Sequence, residues 1–225
     1  MYKKYFKRIV DIFCASAAII VFCWLYVLVA VLVKVKLGSP VIFKQARPGL
    51  GGKIFTLYKF RTMTDEKDEN GKLLPDDVRL TSFGKLLRKT SLDELPEAFN
   101  ILKGDMSVVG PRPQLVRDMV FFTDEQMMRQ SVKPGLSGLA QIMGRNGITW
   151  EEKLDYDLKY IENITFWGDF KIVFMTVWTA FVKKDGISQE GMDTAEDLGD
   201  YLLNSKKISH EEYTQKQEQA LNLLM

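Results

Sequence analysis

An uninterrupted apolar segment near the start of the chain is its clearest pattern. Positions 12–33 contain no charged residue, and as a helix they would extend ~33 Å, enough to cross a bilayer core of ~30 Å. Basic residues flank the segment on both sides, namely Lys3, Lys4, Lys7 and Arg8 before it and Lys34, Lys36, Lys44 and Arg47 after it. Because basic flanks favour the cytoplasmic side, the pattern favours a helix that enters the membrane, bends and returns. One straight span stays open as the alternative.

Two short strand patterns follow Pro40. The stretches VIFKQARPG and KIFTLYKFRTM lie on either side of a glycine-rich turn at residues 49–52. In an extended second strand, Lys59 and Arg61 would project from one face. Such a pair suits a phosphate group or lipid headgroups, and taken alone it equally suits an edge strand with protective charges. The polar residues 64–77 predict a surface loop.

A helical period returns in the next stretch, where Phe83, Leu86 and Leu87 would share one face and Arg88 would lie near the helix end. The sequence SLDELPEAF follows, at residues 91–99.

This acidic motif predicts a second helix with two alternative starts. Pro96 suits the first turn of a helix that ends at Gly104, whereas Ser91 and Glu94 match a capping box that would start the helix earlier. Either start places Asp93 and Glu94 at a helix N-terminus, where the backbone dipole favours ionised carboxylates.

Two further loops carry candidate ligand contacts. Pro111 and Pro113 flank Arg112 and would stiffen the backbone that presents it, and a held arginine is a good bidentate ligand for phosphate. A later loop contains Arg145 among four glycines, Gly135, Gly138, Gly144 and Gly147. Its composition predicts backbone that approaches a ligand closely, although it lacks the spacing of a nucleotide-binding loop.

The last third of the chain predicts helices and a polar tail. Residues 150–163 are amphipathic, and residues 166–184 are rich in aromatic side chains, as expected for either a buried core helix or an interfacial helix. The tail after Gly191 is polar and predicts weak helix or a mobile extension.

Composition limits the chemistry. A chain of 225 residues, 46% of them hydrophobic, suits one sizeable domain. Cys14 and Cys23 lie in the apolar segment and His210 is the only histidine. The chain therefore lacks the residues needed for a disulfide framework, a zinc site or a Ser-His or Cys-His nucleophile pair. Carboxylates, lysines, arginines or a carboxylate-bound metal must carry any catalysis. Residues 1–63 hold eleven basic side chains against Asp11 alone, which indicates an anionic partner.

Taken in order, these motifs resemble a known family. Over residues 3–192 the chain resembles the monotopic phosphoglycosyl transferases of the bacterial sugar transferase family. The resemblance rests on the basic N-terminus with its apolar helix and on the stretches VIFKQARPGL, YKFRTM, SLDELPEAFNILKGDMSVVGPRP and PGLSGLAQIMGRN. The likeness is to the small members that begin N-linked or O-linked glycan assembly.

The resemblance implies an activity. A sugar 1-phosphate would pass from a UDP-sugar to undecaprenyl phosphate with release of UMP, as the first membrane step of glycoconjugate biosynthesis, at the cytoplasmic face of the bacterial inner membrane and with Mg²⁺. UDP-diacetylbacillosamine or another N-acetylated sugar would be the donor. Asp93 would form a covalent intermediate with the phosphosugar, and Glu94 would hold the magnesium. The implied phosphate contacts are Arg88, Arg112, Lys59, Arg61 and Arg145.

The implied fold is α/β, mostly α. It comprises a basic N-terminus and re-entrant membrane helix (residues 1–37), a cytoplasmic catalytic domain with a short β element and interfacial helices (38–192) and a polar tail (193–225). One departure from the family concerns the helix, because Cys23 and Trp24 stand where its small members carry Ser-Pro, and no proline occurs before Lys36.

Two other functions stay open, a membrane-anchored interaction or regulatory protein and a nucleic-acid binder. The second has no recognised motif here, so no nucleic-acid partner is expected. Membrane lipids are the expected surroundings, and homo-oligomerisation is left open.

Overall fold

The chain folds into many helices and two small sheets. The computed structural model describes residues 1–144, 148–179 and 196–225. The helices of this part, apart from short π and 3₁₀ turns, are α1 (Lys7–Val21), α2 (Cys23–Leu37), α3 (Asp76–Arg79), α4 (Ser82–Lys89), α5 (Glu97–Lys103), α6 (Val116–Met119), α7 (Asp124–Met127), α8 (Leu139–Met143), α9 (Trp150–Glu162), α10 (Phe166–Trp178), α11 (Leu198–Asn204) and α12 (His210–Asn222). The strands are β1 (Ile42–Pro48), β2 (Ile54–Phe60), β3 (Ser107–Val109) and β4 (Gly135–Ser137). The predicted class, α/β and mostly α, is confirmed.

The apolar N-terminal segment forms two helices with a sharp bend between them. In the described residues no single helix is both long and apolar enough to cross a membrane, while Tyr2–Val21 and Cys23–Leu37 together have the required length and composition and are bent by 65°. The break falls at Phe22, beside Cys23, so the bend needs no proline. The two halves join different core clusters: Ala15 of α1 packs with α5 and Leu57 of β2, and Val33 of α2 packs with Phe60 of β2 and with α4.

Polar contacts attach α1 to the rest of the protein. The buried Asp11 carboxylate accepts hydrogen bonds from the Ser107 hydroxyl and the Val108 N–H, each at 2.9 Å. The Arg8 guanidinium donates to two carbonyls at the end of α5, those of Ile101 (2.5 Å) and Leu102 (2.8 Å). Part of the basic flank is therefore used inside the protein and is unavailable to lipid headgroups.

The predicted strands pair as an antiparallel hairpin. The register of β1 and β2 runs from Ile42 opposite Phe60 to Pro48 opposite Ile54. Residues 64–75 of the polar excursion form a loop, as predicted, with one isolated bridge between Lys67 and Leu73, whereas Asp76 and Asp77 begin α3.

The second sheet bears on the interpretation of the glycine loop. Strands β3 and β4 are parallel, and a Cβ at Gly135 would lie 2.0 Å from the Gly110 nitrogen. At Gly138 it would lie 2.5 Å from the Gly110 oxygen. These glycines allow two backbone segments to approach each other, which gives a reason for them other than ligand contact; contact of this loop with a ligand stays a prediction. Gly147 lies outside the described residues.

The region around the acidic motif follows the later of the two predicted starts. Pro96 is the N-cap of α5, and Gly104 ends the helix with φ of 98°. The capping box was wrong, because Ser91 has a left-handed φ of 54° and its side chain caps nothing. Asp93 and Glu94 instead lie in a 3₁₀ turn, Leu92–Glu94, just before α5. In α4, Leu87 is buried, but Leu86 is 53% exposed. The prediction that these two leucines lie on the same buried face was therefore wrong.

The C-terminal segments also pack differently from expectation. Leu198 of α11 and Ala220 of α12 are buried in one cluster with Val116, and the Leu198 N–H donates to Asp118 at 2.9 Å. In the described residues 196–225, the tail thus forms two helices packed on the protein, so the helical alternative is confirmed there and the mobile extension was wrong there.

The aromatic helix α10 exposes its rings. Asp169 and Ile172 are its buried residues, and the exposed aromatic side chains are Phe166, Trp167, Phe170, Phe174 and Trp178. The buried-core interpretation of this helix is therefore wrong for its aromatic residues. The end of the predicted segment, including Phe181, lies outside the described residues.

Candidate functional site

Three charged side chains from distant parts of the chain meet at the acidic motif. Lys59, near the end of β2, places its Nζ 2.8 Å from Oε1 of Glu94. The Arg112 guanidinium lies 2.5 Å from the same oxygen. Burial by itself would raise the pKa of Glu94, but the charges of Arg112 and Lys59 outweigh it and hold that pKa below its usual range. Glu94 is therefore ionised at neutral pH.

Asp93 is the more buried of the adjacent carboxylates, at 7% exposure. Burial, with the neighbouring charge of Glu94, raises its pKa to about 6, while the cations Lys59, Arg112 and Arg88 oppose the rise. The predicted help of a helix N-terminus in keeping this group ionised stays a prediction, because the raised pKa follows from burial and the charge of Glu94. A carboxylate with such a pKa is mostly ionised at pH 7 and more basic than an exposed one, which suits a nucleophile.

Arg88 lies at the edge of this cluster. Its Nε donates to the Thr62 hydroxyl at 3.1 Å, so the end of α4 is tied to the turn after β2. Its charge also acts on Asp93. The structure thus brings together Lys59, Arg88, Asp93, Glu94 and Arg112, all of them named from the sequence.

Glu97 is a site residue that sequence reasoning missed. It is 2% exposed, and its Oε1 lies 3.2 Å from Lys59 Nζ. Burial and the charge of Glu94 raise its pKa to about 7. Lys59 thus bridges two glutamates one helical turn apart. The spacing of Glu94 and Glu97 was visible in the sequence, but their shared cation was not.

The loop that presents Arg112 is held by two other arginines. Arg129 Nη2 donates to the Arg112 carbonyl at 2.6 Å and pairs with the Asp157 carboxylate, also at 2.6 Å, with both side chains buried. Arg47 donates to the Pro113 carbonyl at 3.0 Å. The prolines were the only sequence signal for a rigid loop, and the arginines that fix it come from distant elements.

Asn100 sets the distance between the acidic motif and β2. This fully buried side chain accepts from the Tyr58 N–H at 3.0 Å and donates to the Thr56 carbonyl at 2.7 Å. Its side-chain amide satisfies the backbone groups of β2 that a neighbouring strand would otherwise pair with along this edge. Because it lies on α5, it holds the glutamates opposite Lys59.

One predicted phosphate contact, Arg61, does not join the cluster. Arg61 is buried, donates to the Ser39 and Met63 carbonyls at 2.5 and 2.7 Å and pairs with Asp65. Its contacts are those of a residue that holds the loop after β2. Arg145 lies outside the described residues.

The donor atoms of the site are compatible with a magnesium ion. Mg²⁺ is commonly held by one or two carboxylates together with substrate phosphates and water, without an all-protein cage. Asp93 and Glu94 supply hard carboxylate oxygens, and the hydrogen bonds found on Glu94 use Oε1. The described residues contain no cluster of three or more potential metal ligands. The residues therefore fit a magnesium site in which substrate phosphates supply the remaining ligands.

Adjacent carboxylates beside three cations form the kind of site that suits phosphate groups. Residues 2–183 match the family described as bacterial sugar transferase, and the chain belongs to that family. The predicted family is thus confirmed, and with it the prediction of a transferase.

Individual relatives support the same class. The chain is 52% identical over 193 residues to the uncharacterized sugar transferase EpsL of Bacillus subtilis (84% of this chain, 94% of EpsL). It is 43% identical over 189 residues to a UDP-glucose:undecaprenyl-phosphate glucose-1-phosphate transferase of Klebsiella pneumoniae (80% and 41%). It is 40% identical over 187 residues to a UDP-N-acetylgalactosamine-undecaprenyl-phosphate N-acetylgalactosaminephosphotransferase of Aeromonas hydrophila (78% and 43%).

The coverage of these relatives differs. The chain spans nearly the whole of EpsL but less than half of the two named transferases. Those two relatives are also named for different sugars, so similarity at this level does not select a donor.

Proposed function

We propose that the protein transfers a sugar 1-phosphate from a UDP-sugar to undecaprenyl phosphate and releases UMP. The names of its relatives support this reaction. The observation that carries the proposal is the placement of the buried Asp93 carboxylate beside Glu94, Lys59 and Arg112. Diacetylbacillosamine or another N-acetylated sugar remains a candidate for the group transferred.

The reaction proceeds in two displacements. An oxygen of Asp93 attacks the β-phosphorus of the donor, the bond from that phosphorus to the bridging oxygen breaks, and UMP leaves with the electron pair. A phosphate oxygen of undecaprenyl phosphate then attacks the same phosphorus. The bond to Asp93 breaks, its carboxylate is restored, and the product is a polyprenyl diphosphate sugar.

The cations make attack by an anion on an anion feasible. Arg112, Lys59 and Arg88 lie where they can offset the charge of the diphosphate before and during the displacement. Arg112 is 39% exposed, so its guanidinium can contact an incoming ligand. Mg²⁺ held by Glu94 would supply further charge neutralisation at the phosphates. A carboxylate nucleophile needs no general base, consistent with a sequence whose only histidine, His210, lies far from Asp93 along the chain.

We further propose that α1 and α2 insert into the bacterial inner membrane as a re-entrant hairpin, with the catalytic domain on the cytoplasmic face. Exposed apolar side chains along both helices support insertion, among them Phe13, Ile20, Trp24 and Val27. The contacts of Arg8 with α5 support re-entry, because they hold the N-terminal flank on the side of the domain. The exposed aromatic side chains of α10 support contact with the interface.

A two-part assay tests the reaction. The full chain in lipid nanodiscs is incubated with UDP-glucose, UDP-N-acetylgalactosamine and UDP-diacetylbacillosamine, Mg²⁺ and undecaprenyl phosphate, and UMP is measured. Donor-treated protein is quenched for mass spectrometry. We expect UMP release with at least one donor and a phosphosugar adduct on Asp93.

The matched variants are Asp93→Asn and Asp124→Asn, the latter exposed at the surface. The first should lose both adduct and turnover, and the second should retain them. An adduct on another residue, or full turnover by Asp93→Asn, would refute the mechanism. A protein that releases no UMP, and whose cellular role survives Asp93→Asn, would be the membrane-anchored interaction protein.

A further inference from the structure

An open apolar groove of about 520 Å³ lies between the membrane hairpin and the hairpin of strands. Tyr26, Val27 and Ala30 of α2 form one wall. The facing side chains include Lys44 of β1 together with Pro96 and Phe99. Its volume falls within the ~300–1,000 Å³ typical of small-ligand sites.

The groove and the charged cluster share a wall. Tyr58 and Phe60 line the groove and flank Lys59, whose side chain points to the other face of β2. Pro96 lies two residues after Glu94. The Tyr26 hydroxyl donates to the Leu95 carbonyl at 2.6 Å, which fastens α2 to the segment that carries the acidic pair. A ligand in the groove therefore lies against the same strand and turn as the acidic pair.

The chemistry of the lining indicates an amphiphile. The surface that lines the groove is apolar, and among the described residues Lys44 is the only charged one that contributes to it. Sugar hydroxyls and a nucleobase would find few hydrogen-bond partners here. A hydrocarbon chain with one anionic head would place its chain against the walls and its head near a cation.

The groove adjoins the exposed apolar surface of α2. Val27 forms part of its wall and is 65% exposed, and Leu28 next to it is 47% exposed. If α2 lies in a bilayer, a lipid reaches the groove without leaving an apolar medium. Transfer from bilayer to groove then needs little desolvation.

From this geometry, and resting on the function proposed above, we propose that the groove binds the head-proximal prenyl units of the polyprenyl phosphate acceptor. The acceptor phosphate would reach the phosphosugar over the edge of β2 near Pro96. The remainder of the long chain would stay in the bilayer beside α2.

A binding experiment tests the groove without relying on turnover. A polyprenyl phosphate with a diazirine on its first prenyl units is irradiated with the full chain in nanodiscs, and the labelled peptides are mapped. We expect labels on Val27, Phe99 or their neighbours that excess undecaprenyl phosphate removes and excess phosphatidylglycerol does not. Labels elsewhere, or equal competition by phosphatidylglycerol, would overturn the proposal, the latter by indicating a general acyl-chain groove.

A kinetic experiment uses two matched valines of α2. Val27→Trp fills the groove, whereas Val31→Trp adds the same bulk to an exposed position that does not line it. We expect Val27→Trp to raise the KM for undecaprenyl phosphate about tenfold and to leave UMP release in the first displacement unchanged. Val31→Trp should match the wild type.

Failure of the two proposals is distinguishable. Equal kinetics for the two tryptophan variants in an active enzyme would overturn the groove and leave the reaction intact. An inactive wild type would overturn the reaction, and the crosslinking result would still decide for or against polyprenyl phosphate in the groove.

Discussion

The carboxylate of Asp11, in the first helix, accepts a hydrogen bond from the hydroxyl of Ser107 at 2.9 Å, joining α1 to the first residue of β3. Both side chains are almost completely buried. The same oxygen accepts the Val108 N–H. A buried carboxylate in a mostly apolar helix is thus a structural connection between the α1–α2 hairpin and the domain.

Replacement of Asp11 by Ala should destabilise the protein strongly. The Ser107 hydroxyl and the Val108 N–H would lose their acceptor, at a cost of ~1–3 kcal/mol for each buried group. Asp11→Asn keeps an acceptor oxygen and should cost less. Urea unfolding in mild detergent measures the free energies. Asp155→Ala, which removes an exposed pair with Lys159, should change stability by ~0.5 kcal/mol or less. Equal effects of Asp11→Ala and Asp155→Ala would contradict the structural role of Asp11.

Glu97 should make stability depend on pH. Burial and the charge of Glu94, opposed by Lys59 and Arg112, raise its pKa from 4.5 to about 7. Between these values the folded chain binds a proton that the unfolded chain lacks, so this group's contribution to stability is fully present below pH 4.5 and is lost as the pH rises to about 7. Glu97→Gln removes that dependence. Its stability relative to wild type should therefore increase between pH 5 and pH 8, by up to ~3 kcal/mol.

Unfolding of wild type and Glu97→Gln at several pH values checks this prediction. Glu125→Gln, at an exposed position, is the control and should track the wild type throughout. A constant difference between Glu97→Gln and wild type from pH 5 to pH 8 would show that Glu97 titrates like an exposed glutamate.

Local sequence rules predicted the boundaries of α5 correctly. They failed one turn before the helix, where they predicted a capping box at Ser91. Pro96 and Gly104 act through their own backbone angles, so their effect was visible in the sequence. Ser91 adopts a left-handed conformation where a capping box needs an extended one, and its neighbours in the sequence give no sign of this. The contact of Lys59 with Glu97 is equally hidden, because it joins β2 to α5.

The bend in the N-terminal segment had no local signal either. Positions 12–33 are uniformly apolar, so their pattern does not distinguish a straight helix from a broken one. The charged flanks correctly favoured a bend. The sequence argument relied on the preference of basic flanks for the cytoplasmic side, whereas in the structure some of these residues contact the domain itself. Arg8 and Arg47 bind carbonyls of the domain, and α1 and α2 join different core clusters on the two sides of the break.

Arg112 should be important for turnover because it is the partly exposed cation on Glu94. Arg112→Gln should lower kcat/KM about 10²–10³-fold through loss of charge stabilisation. The kcat/KM of Arg112→Lys should lie between those of Arg112→Gln and the wild type, because lysine keeps the charge and loses the planar guanidinium. Initial rates of UMP release measure both. Arg117→Gln removes a half-exposed arginine paired with Asp197 and should be nearly neutral; similar losses at both positions would indicate a general effect of charge.

The topology of the α1–α2 hairpin is testable with single cysteines. In a background with Cys14 and Cys23 replaced by Ala, cysteines are placed at Lys4, at Val21 beside the bend and at Lys67 in the domain, all exposed positions. A re-entrant hairpin predicts that a membrane-impermeant maleimide labels positions 4 and 67 from the same side of inverted vesicles, and that position 21 is protected by lipid. The ion pair of Lys7 with Asp169, at 2.5 Å, requires the same arrangement, because a straight span would carry Lys7 to the opposite side. Labelling of positions 4 and 67 from opposite sides would therefore contradict both the hairpin and this contact.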